Sequence, residues 1–367
     1  MTDRPTGTSS AVGTPPALAV RPAGRLGPAA DGCEALVARS REAVFDDPAA
    51  ALSAATRASE LAAALLASGD VPQSLAPDAE DLASEAWAYR ANAERVLVDL
   101  DAADASFVRA RRHLERGSGR PLLAARLDDL EASLRNAQQR REEALVLLDG
   151  AIRRCRAAGA RRLLGFSLVN RSHLMIEAGE PHAALVALAE AIDCLDPEED
   201  LRTYLLAASN VAGCLDKVGY SIAARELLAE LRPLHERLGE RINLLRLDWL
   251  EAQIDLGLGR HQKAEATLLA VREGFLAREM AYDAALVSLD LAGIYAEQKR
   301  FLALRRLALE MLPIFQSRRI HREALAALIL FREAISFGHG DVALFAEVRR
   351  FLDRARNNPR LRFRPTA

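Results

Sequence analysis

Apolar residues recur at helical spacing along almost the whole chain. The pattern begins near Cys33 and continues to about Arg356, with apolar positions three and four residues apart. No sustained period-two alternation rich in β-branched residues occurs, so strands are not predicted. Gly, Pro and Asp punctuate the pattern, as at Gly179 and Pro181. The sequence therefore predicts an all-α chain of helices joined by short connections.

A forty-residue repeat organises these predicted helices. Ala184, Ala224 and Ala264 stand forty residues apart, and each is followed four residues later by leucine. A glycine precedes each of the three alanines by five residues, where it can end the first helix of a pair in a left-handed cap. Small residues also recur twelve positions before the marker: Ala132, Ser172, Ala212, Ala252 and Ala292. Small residues on both helices of a pair let the backbones approach closely, as antiparallel hairpins require.

The register divides the chain into three predicted parts. Residues 1–31 are rich in Pro and Gly and show no hydrophobic period, so we expect a disordered leader. Residues 32–356 are predicted to form about eight helical hairpins, which start near 32, 84, 125, 165, 205, 245, 285 and 325. Residues 357–367 form an arginine-rich tail. We expect the array to be one continuous unit without a cleavable boundary near its middle.

One predicted hairpin carries the motif of a known repeat family. Trp87 and Ala91 stand in its first helix, and Ala103, Phe107 and Ala110 stand in its second. The hairpin from 285 adds Leu291, Ala292 and Tyr295 at matching positions. This spacing resembles the tetratricopeptide repeat, W-x2-L-G-x2-Y followed by A-x3-F-x2-A. The resemblance covers roughly residues 32–356 and implies a right-handed α-solenoid whose first helices line a concave groove that binds ligands.

The period departs from that family, since it is 40 residues rather than 34. Longer repeats of this kind resemble those of bacterial transcription regulators of the maltose-regulator type and of peptide-sensing regulators. Another helical-hairpin solenoid with a period near 40, such as HEAT, is the rival interpretation. The small-residue pattern and the hairpin from Trp87 to Ala110 favour the tetratricopeptide type.

Composition narrows the classes of protein further. The chain of 367 residues has 49 basic and 51 acidic side chains, and this balance argues against a nucleic-acid-coating surface. The arginine-rich C-terminus is the exception, with seven arginines against one aspartate in residues 349–367. Four scattered cysteines fit reduced thiols in the cytoplasm. No apolar stretch approaches the length of a membrane span.

Motifs for catalysis or metal binding are incomplete. His321 and Glu323 form an H-x-E, but the P-C-x-x-C of zinc deaminases is absent. The G-x-G at Gly257 lacks the third glycine and preceding strand of a dinucleotide site. The sequence thus predicts no metal, no cofactor and no enzymatic activity.

The resemblance implies that ligand-contacting side chains stand at positions two, five, six and nine of each hairpin. The candidate groove residues are Asn170, His173, Asn210, Arg246, Trp249 and Gln253. Asn170 and Asn210 share position six, and an asparagine amide can donate to and accept from a peptide unit at once. The alternative is that both asparagines brace neighbouring helices. For Trp249, packing in the core is favoured over stacking on a ligand.

The predicted function is a non-enzymatic scaffold or regulatory adaptor that binds a protein or peptide segment in its groove. Two alternatives remain open: a peptide-sensing transcriptional regulator, and an enzyme with an unrecognised active site in the groove. Acidic residues and histidines that converge with shifted pKa values would favour the enzyme. Asn, Arg and aromatic side chains along the groove would favour the scaffold.

Overall fold

The computed structural model describes residues 26–44, 46–317 and 347–352, and these are almost entirely helical. The helices are α1 Pro28–Ala43, α2 Pro48–Ala67, α3 Ala76–Val96, α4 Leu100–Arg116, α5 Pro121–Ala137, α6 Arg141–Ala157, α7 Arg161–Ala178, α8 Pro181–Cys194, α9 Leu201–Lys217, α10 Ser221–Leu238, α11 Arg241–Gly257, α12 His261–Leu276, α13 Ala281–Glu297 and α14 Phe301–Ser317. A single 3-10 turn, Gln73–Leu75, precedes α3. A further helical segment spans residues 347–352. Most of the predicted hairpin from 325 to 356 lies outside the described residues, which include only 347–352 of it.

Consecutive helices pair as antiparallel hairpins, which confirms the predicted all-α solenoid class. Within the pairs, α3 packs on α4, α5 on α6 and α7 on α8. First helices also contact the first helices of neighbouring hairpins, as α3 does with α5 and α5 with α7. The predicted close-contact positions are buried: Ala132, Ala144, Ser172, Ala184, Ala212, Ala224, Ala252, Ala264 and Ala292.

The described residues fall into two compact units. The first ends at Val211 and the second begins at Ala212, so the division lies inside α9. We call them the N unit and the C unit. Each has its own apolar core, one centred on α3 and α4 and the other on α12 and α13. The prediction of one uninterrupted array remains a prediction.

A left-handed residue ends the first helix of each successive hairpin from α3 to α13. These residues are Val98, Gln139, Gly179, Gly219, Gly259 and Lys299, with φ between 55° and 90°. A second series, Gly119, Gly159, Gly239 and Glu279, lies between hairpins. The connection from α8 to α9 is different: the carboxylate of Asp196 accepts hydrogen bonds from the backbone N–H groups of Glu198 and Glu199, at 2.7 and 3.1 Å. The forty-residue period is therefore a period of turns as well as of helices.

The N-terminal boundary differs from the predicted one. Helix α1 begins at Pro28, so residues 28–31 of the predicted leader are helical. Pro28 occupies the first turn, where its missing N–H costs nothing and its fixed φ suits a helix. Ala30 and Cys33 are buried, which anchors that turn. Residues 1–25 of the predicted leader and the tail 357–367 lie outside the described residues.

Candidate functional site

In the N unit, a hydrogen bond between an amide and a carboxylate connects two neighbouring first helices. Asn170 on α7 donates a hydrogen bond from Nδ2 to Oδ1 of Asp129 on α5, at 3.0 Å. Asn170 is partly exposed and Asp129 is buried. This hydrogen bond accounts for one donor of the amide, which also carries a second N–H and an acceptor oxygen.

Asp129 has an unusual electrostatic environment. Burial raises the pKa of its carboxyl group, while the charge of Arg126 and the hydrogen bond from Asn170 act in the opposite direction. The same buried Arg126 lies near Tyr89 of α3, whose pKa is also raised by burial. Arg126 and Asp129 stand at positions two and five of their hairpin. The groove face, the face of the first helices that carries positions two, five, six and nine, therefore includes buried charged groups of both signs.

His173 lies one turn beyond Asn170 on the same helix. Its Nε2 is 3.1 Å from Oε1 of Glu177, and Asn136 on α5 donates to the other carboxylate oxygen, also at 3.1 Å. Burial alone would raise the pKa of Glu177, but the charge of His173 and hydrogen bonds from His173 and Asn136 lower it to about 2. The result is a second polar link between α5 and α7.

Asn210 is the other asparagine of the N unit that is predicted to clamp a peptide, that is, to bond to the C=O and N–H of its backbone. It lies on α9 and is partly exposed. Its amide makes no side-chain hydrogen bond within the part of the chain that the structure describes. Neither asparagine is therefore buried and fully bonded, the arrangement that would exclude a peptide clamp. The choice between clamping a ligand and bracing the fold stays a prediction.

The C unit places a carboxylate at the centre of its groove face. Asp290 on α13 accepts hydrogen bonds at Oδ2 from Nε1 of Trp249, at 2.6 Å, and from Nε2 of Gln253, at 3.0 Å. Both donors lie on α11. Trp249 is partly buried and meets Phe275 edge to face, with ring centroids 6.0 Å apart. Trp249 therefore packs against the core and also holds a polar group of the groove face.

A cation completes this arrangement. Arg349, from the helical segment 347–352, forms an ion pair with Oδ1 of Asp290. Its guanidinium carbon also lies 5.9 Å from the centroid of Trp249, within the range of a cation–π contact. Arg246, the remaining predicted residue of the C unit, lies 4.0 Å from a carboxylate oxygen of Asp283.

The six predicted residues do not form one described site. Asn170, His173 and Asn210 belong to the N unit, while Arg246, Trp249 and Gln253 belong to the C unit. Sequence reasoning missed the two acceptors, Asp129 and Asp290. Their positions in the repeat could have identified both as groove residues, because Asp129 stands at position five of its hairpin and Asp290 at position six.

The described residues offer no alternative centre for metal chemistry. Across 26–44, 46–317 and 347–352, no three His, Cys, Asp or Glu side chains converge as a metal ion requires. Within those same ranges, no helix is both long and apolar enough to cross a bilayer. His321, of the incomplete H-x-E motif, lies outside them.

Solved structures with a similar fold share little sequence with this chain. A Rap protein complexed with competence and sporulation factor superposes with a TM-score of 0.62 at 13% identity, over 87% of this chain and 85% of that one. The apo form of RapI gives a TM-score of 0.60 at 12% identity, over 86% and 85% of the two chains. Aspartyl phosphate phosphatase F from Bacillus subtilis gives 0.58 at 14% identity, over 77% and 72%.

These similarities establish a fold of tetratricopeptide-like helical repeats. No family model matches the sequence, and no curated protein matches it.

Proposed function

We propose that this chain is a non-enzymatic regulatory adaptor that binds a protein or peptide segment on its groove face. The observation that carries the proposal is the row of polar side chains on neighbouring first helices. Asn170 and Asn210 are partly exposed, and within residues 26–44, 46–317 and 347–352 each has amide atoms without a hydrogen-bond partner. Such groups suit the C=O and N–H groups of a peptide backbone, whatever its side chains are.

The spacing of the first helices suits an extended peptide. Packed helices lie about 8–10 Å apart, and an extended chain advances about 3.3–3.6 Å per residue. Amides on neighbouring first helices would therefore meet backbone groups about three residues apart. A peptide held in this way needs no particular side chain at the clamped positions, so specificity would come from the groups beside the clamp.

The fold likeness supports the adaptor over the two alternatives. One similar structure is a Rap protein in complex with competence and sporulation factor. A protein with a similar fold therefore binds that factor. Another similar structure is named an aspartyl phosphate phosphatase, and that name is consistent with the enzyme alternative. In this chain, however, the groove carboxylates are engaged by amides and arginines, as Asp129 is by Asn170. We place the protein with the tetratricopeptide repeats, and in the cytoplasm because its cysteines are free thiols.

The test removes both clamp amides. A peptide selected from a displayed library of linear peptides on the wild-type protein serves as the ligand. Asn170→Ala together with Asn210→Ala should weaken its binding about five- to one-hundred-fold, since each lost amide contact is worth about 0.5–1.5 kcal/mol. Isothermal titration gives the affinity, and thermal stability should fall only by the loss of the hydrogen bond from Asn170 to Asp129.

The control is Gln262→Ala, which removes an exposed amide from the second helix α12. This variant should bind the peptide like the wild type. If the double variant binds normally, or if its affinity falls only as far as its stability, the two asparagines brace the fold and the clamp is excluded.

A further inference from the structure

The helical segment 347–352 packs on the core of the C unit. Val348, Phe351 and Leu352 are buried in the same apolar cluster as residues of α12 and α13. Their spacing of three and four residues puts them on one side of a helix. The segment thus presents an apolar face to the C unit, in the way an amphipathic helix occupies a groove.

Arg349 of this segment contacts the groove face. It pairs with Asp290 on α13 and lies over Trp249 on α11, so one side chain touches two first helices. Gln253, a further groove residue, donates to the same carboxylate. With Arg349 in place, the side chain of Asp290 is only 6% exposed. Residues at the positions expected to contact a ligand are therefore engaged by the chain itself.

We infer that segment 347–352 is an intramolecular occupant of the groove face of the C unit, and that a ligand gains this face only by displacing it. The inference rests on the proposed function in that it assumes ligand binding on the groove face, here the groove face of the C unit rather than that of the N unit, where Asn170 and Asn210 lie. A tethered segment acts at an effective concentration in the millimolar range, so a free ligand must outcompete it. Occupancy in cis would set a threshold of ligand affinity or concentration for binding.

Arg349 is the residue whose replacement should weaken the packing of segment 347–352 with the least effect on the apolar core. Its side chain is 37% exposed, whereas Val348 and Leu352 are fully buried. Replacing it with alanine removes the ion pair to Asp290 and the contact with Trp249, and leaves the apolar side chains in place. Arg305, which is exposed on α14 of the same unit, provides the control for loss of an arginine.

The experiment uses the full chain and a fluorescein-labelled peptide with the sequence of residues 345–356. Fluorescence anisotropy should show at least tenfold tighter binding of this peptide to Arg349→Ala than to the wild type. Arg305→Ala should behave like the wild type. Arg349→Ala combined with Asp290→Ala should lose the gain, because the peptide's own arginine then has no carboxylate to pair with.

Two results would overturn the inference. One is equal peptide binding by the wild type and by a folded Arg349→Ala variant. The other is loss of cooperative folding in both Arg349→Ala and the milder Arg349→Lys, which would make the segment an integral part of the core. Circular dichroism and thermal melting establish folding in each case.

The library-selected peptide separates this inference from the proposed function. If the library-selected peptide binds the wild type and Arg349→Ala equally, and the 345–356 peptide also binds both equally, the adaptor function stands and the occupant is excluded. If the 345–356 peptide binds Arg349→Ala tightly but no library peptide binds either protein, the occupant stands and the adaptor function fails.

Discussion

His235 lies on α10 with its side chain buried in the C unit. Burial, with a smaller contribution from the charge of Arg232, lowers the pKa of His235 from 6.5 to about 4. The folded protein therefore holds this imidazole neutral at pH values where the unfolded chain would protonate it. The stabilising contribution is complete above pH 6.5 and is lost progressively as the pH falls towards 4.

We expect the free energy of unfolding to fall with pH in this window. Each unit of pKa depression corresponds to about 1.4 kcal/mol, so a pKa of about 4 in place of 6.5 amounts to roughly 2–3 kcal/mol between pH 7 and pH 4.5. Urea denaturation at pH 7, 5.5 and 4.5 measures the change. His235→Leu should flatten the pH dependence by that amount, whereas Gln262→Ala, which removes an exposed group that does not titrate, should not. A His235→Leu variant with the wild-type slope would show that other groups cause the loss.

Single buried charges were the least predictable feature of the sequence. Arg126 is 1% exposed, yet nothing in its local sequence distinguishes it from the 46 arginines of the chain. The partners of a charged side chain depend on residues about forty positions away, as Asn170 and Asp129 show. Helical periodicity states which face a residue lies on, but it does not state which polar atom it meets there.

The elements themselves follow the repeat closely, and the turns show why. The left-handed cap is a glycine at Gly179, Gly219 and Gly259. Forty residues before and after this series, Gln139 and Lys299 adopt the same left-handed conformation without being glycine. In the hairpins from 125 to 245, the small residues predicted the buried contact position on the first helix and the one on the second helix. Arginines that link hairpins were not predicted: Arg232 of α10, for example, bonds to Asp248 and Glu251 of α11.

Val98 occupies a left-handed cap with a β-branched side chain, at a φ of 64°. A non-glycine residue in this conformation costs roughly 1–2 kcal/mol, and branching at Cβ makes it less favourable. Val98→Gly should therefore stabilise the protein by about 0.5–1 kcal/mol, measured by urea denaturation. Val146→Gly, in the exposed interior of α6, should destabilise it by about 0.3–0.5 kcal/mol, since valine is itself a poorer helix former than alanine. A loss of stability in Val98→Gly would mean that packing of the valine outweighs its backbone strain.

At the scale of the whole molecule, the repeat register predicts the order of helices but not the division into units. The forty-residue pattern runs through Ala212 without interruption, and the structure nevertheless assigns Val211 and Ala212 to different units. Local periodicity describes how each hairpin meets the next. The grouping of hairpins depends on how much each contact buries, and a pattern of small and apolar positions does not contain that quantity.

Limited trypsin digestion tests whether this division is a cleavable boundary. The nearest sites are Arg202 and Lys217, and both lie within α9. Helix α9 also buries Ala208, Ala212 and Cys214, so its backbone must open against core packing before trypsin can cut. We expect the digest to trim the chain up to about Arg25, before α1 begins, and after about 356, with α9 intact.

Mass spectrometry of the resistant fragments identifies the cut sites. The same digest in urea near the unfolding midpoint is the control, since opened α9 should then be cut at both sites. A pair of stable native fragments that meet at Arg202 or Lys217 would contradict the prediction. The chain would then consist of two separable modules, because trypsin cuts a native helix only where that helix opens more readily than the units on either side of it.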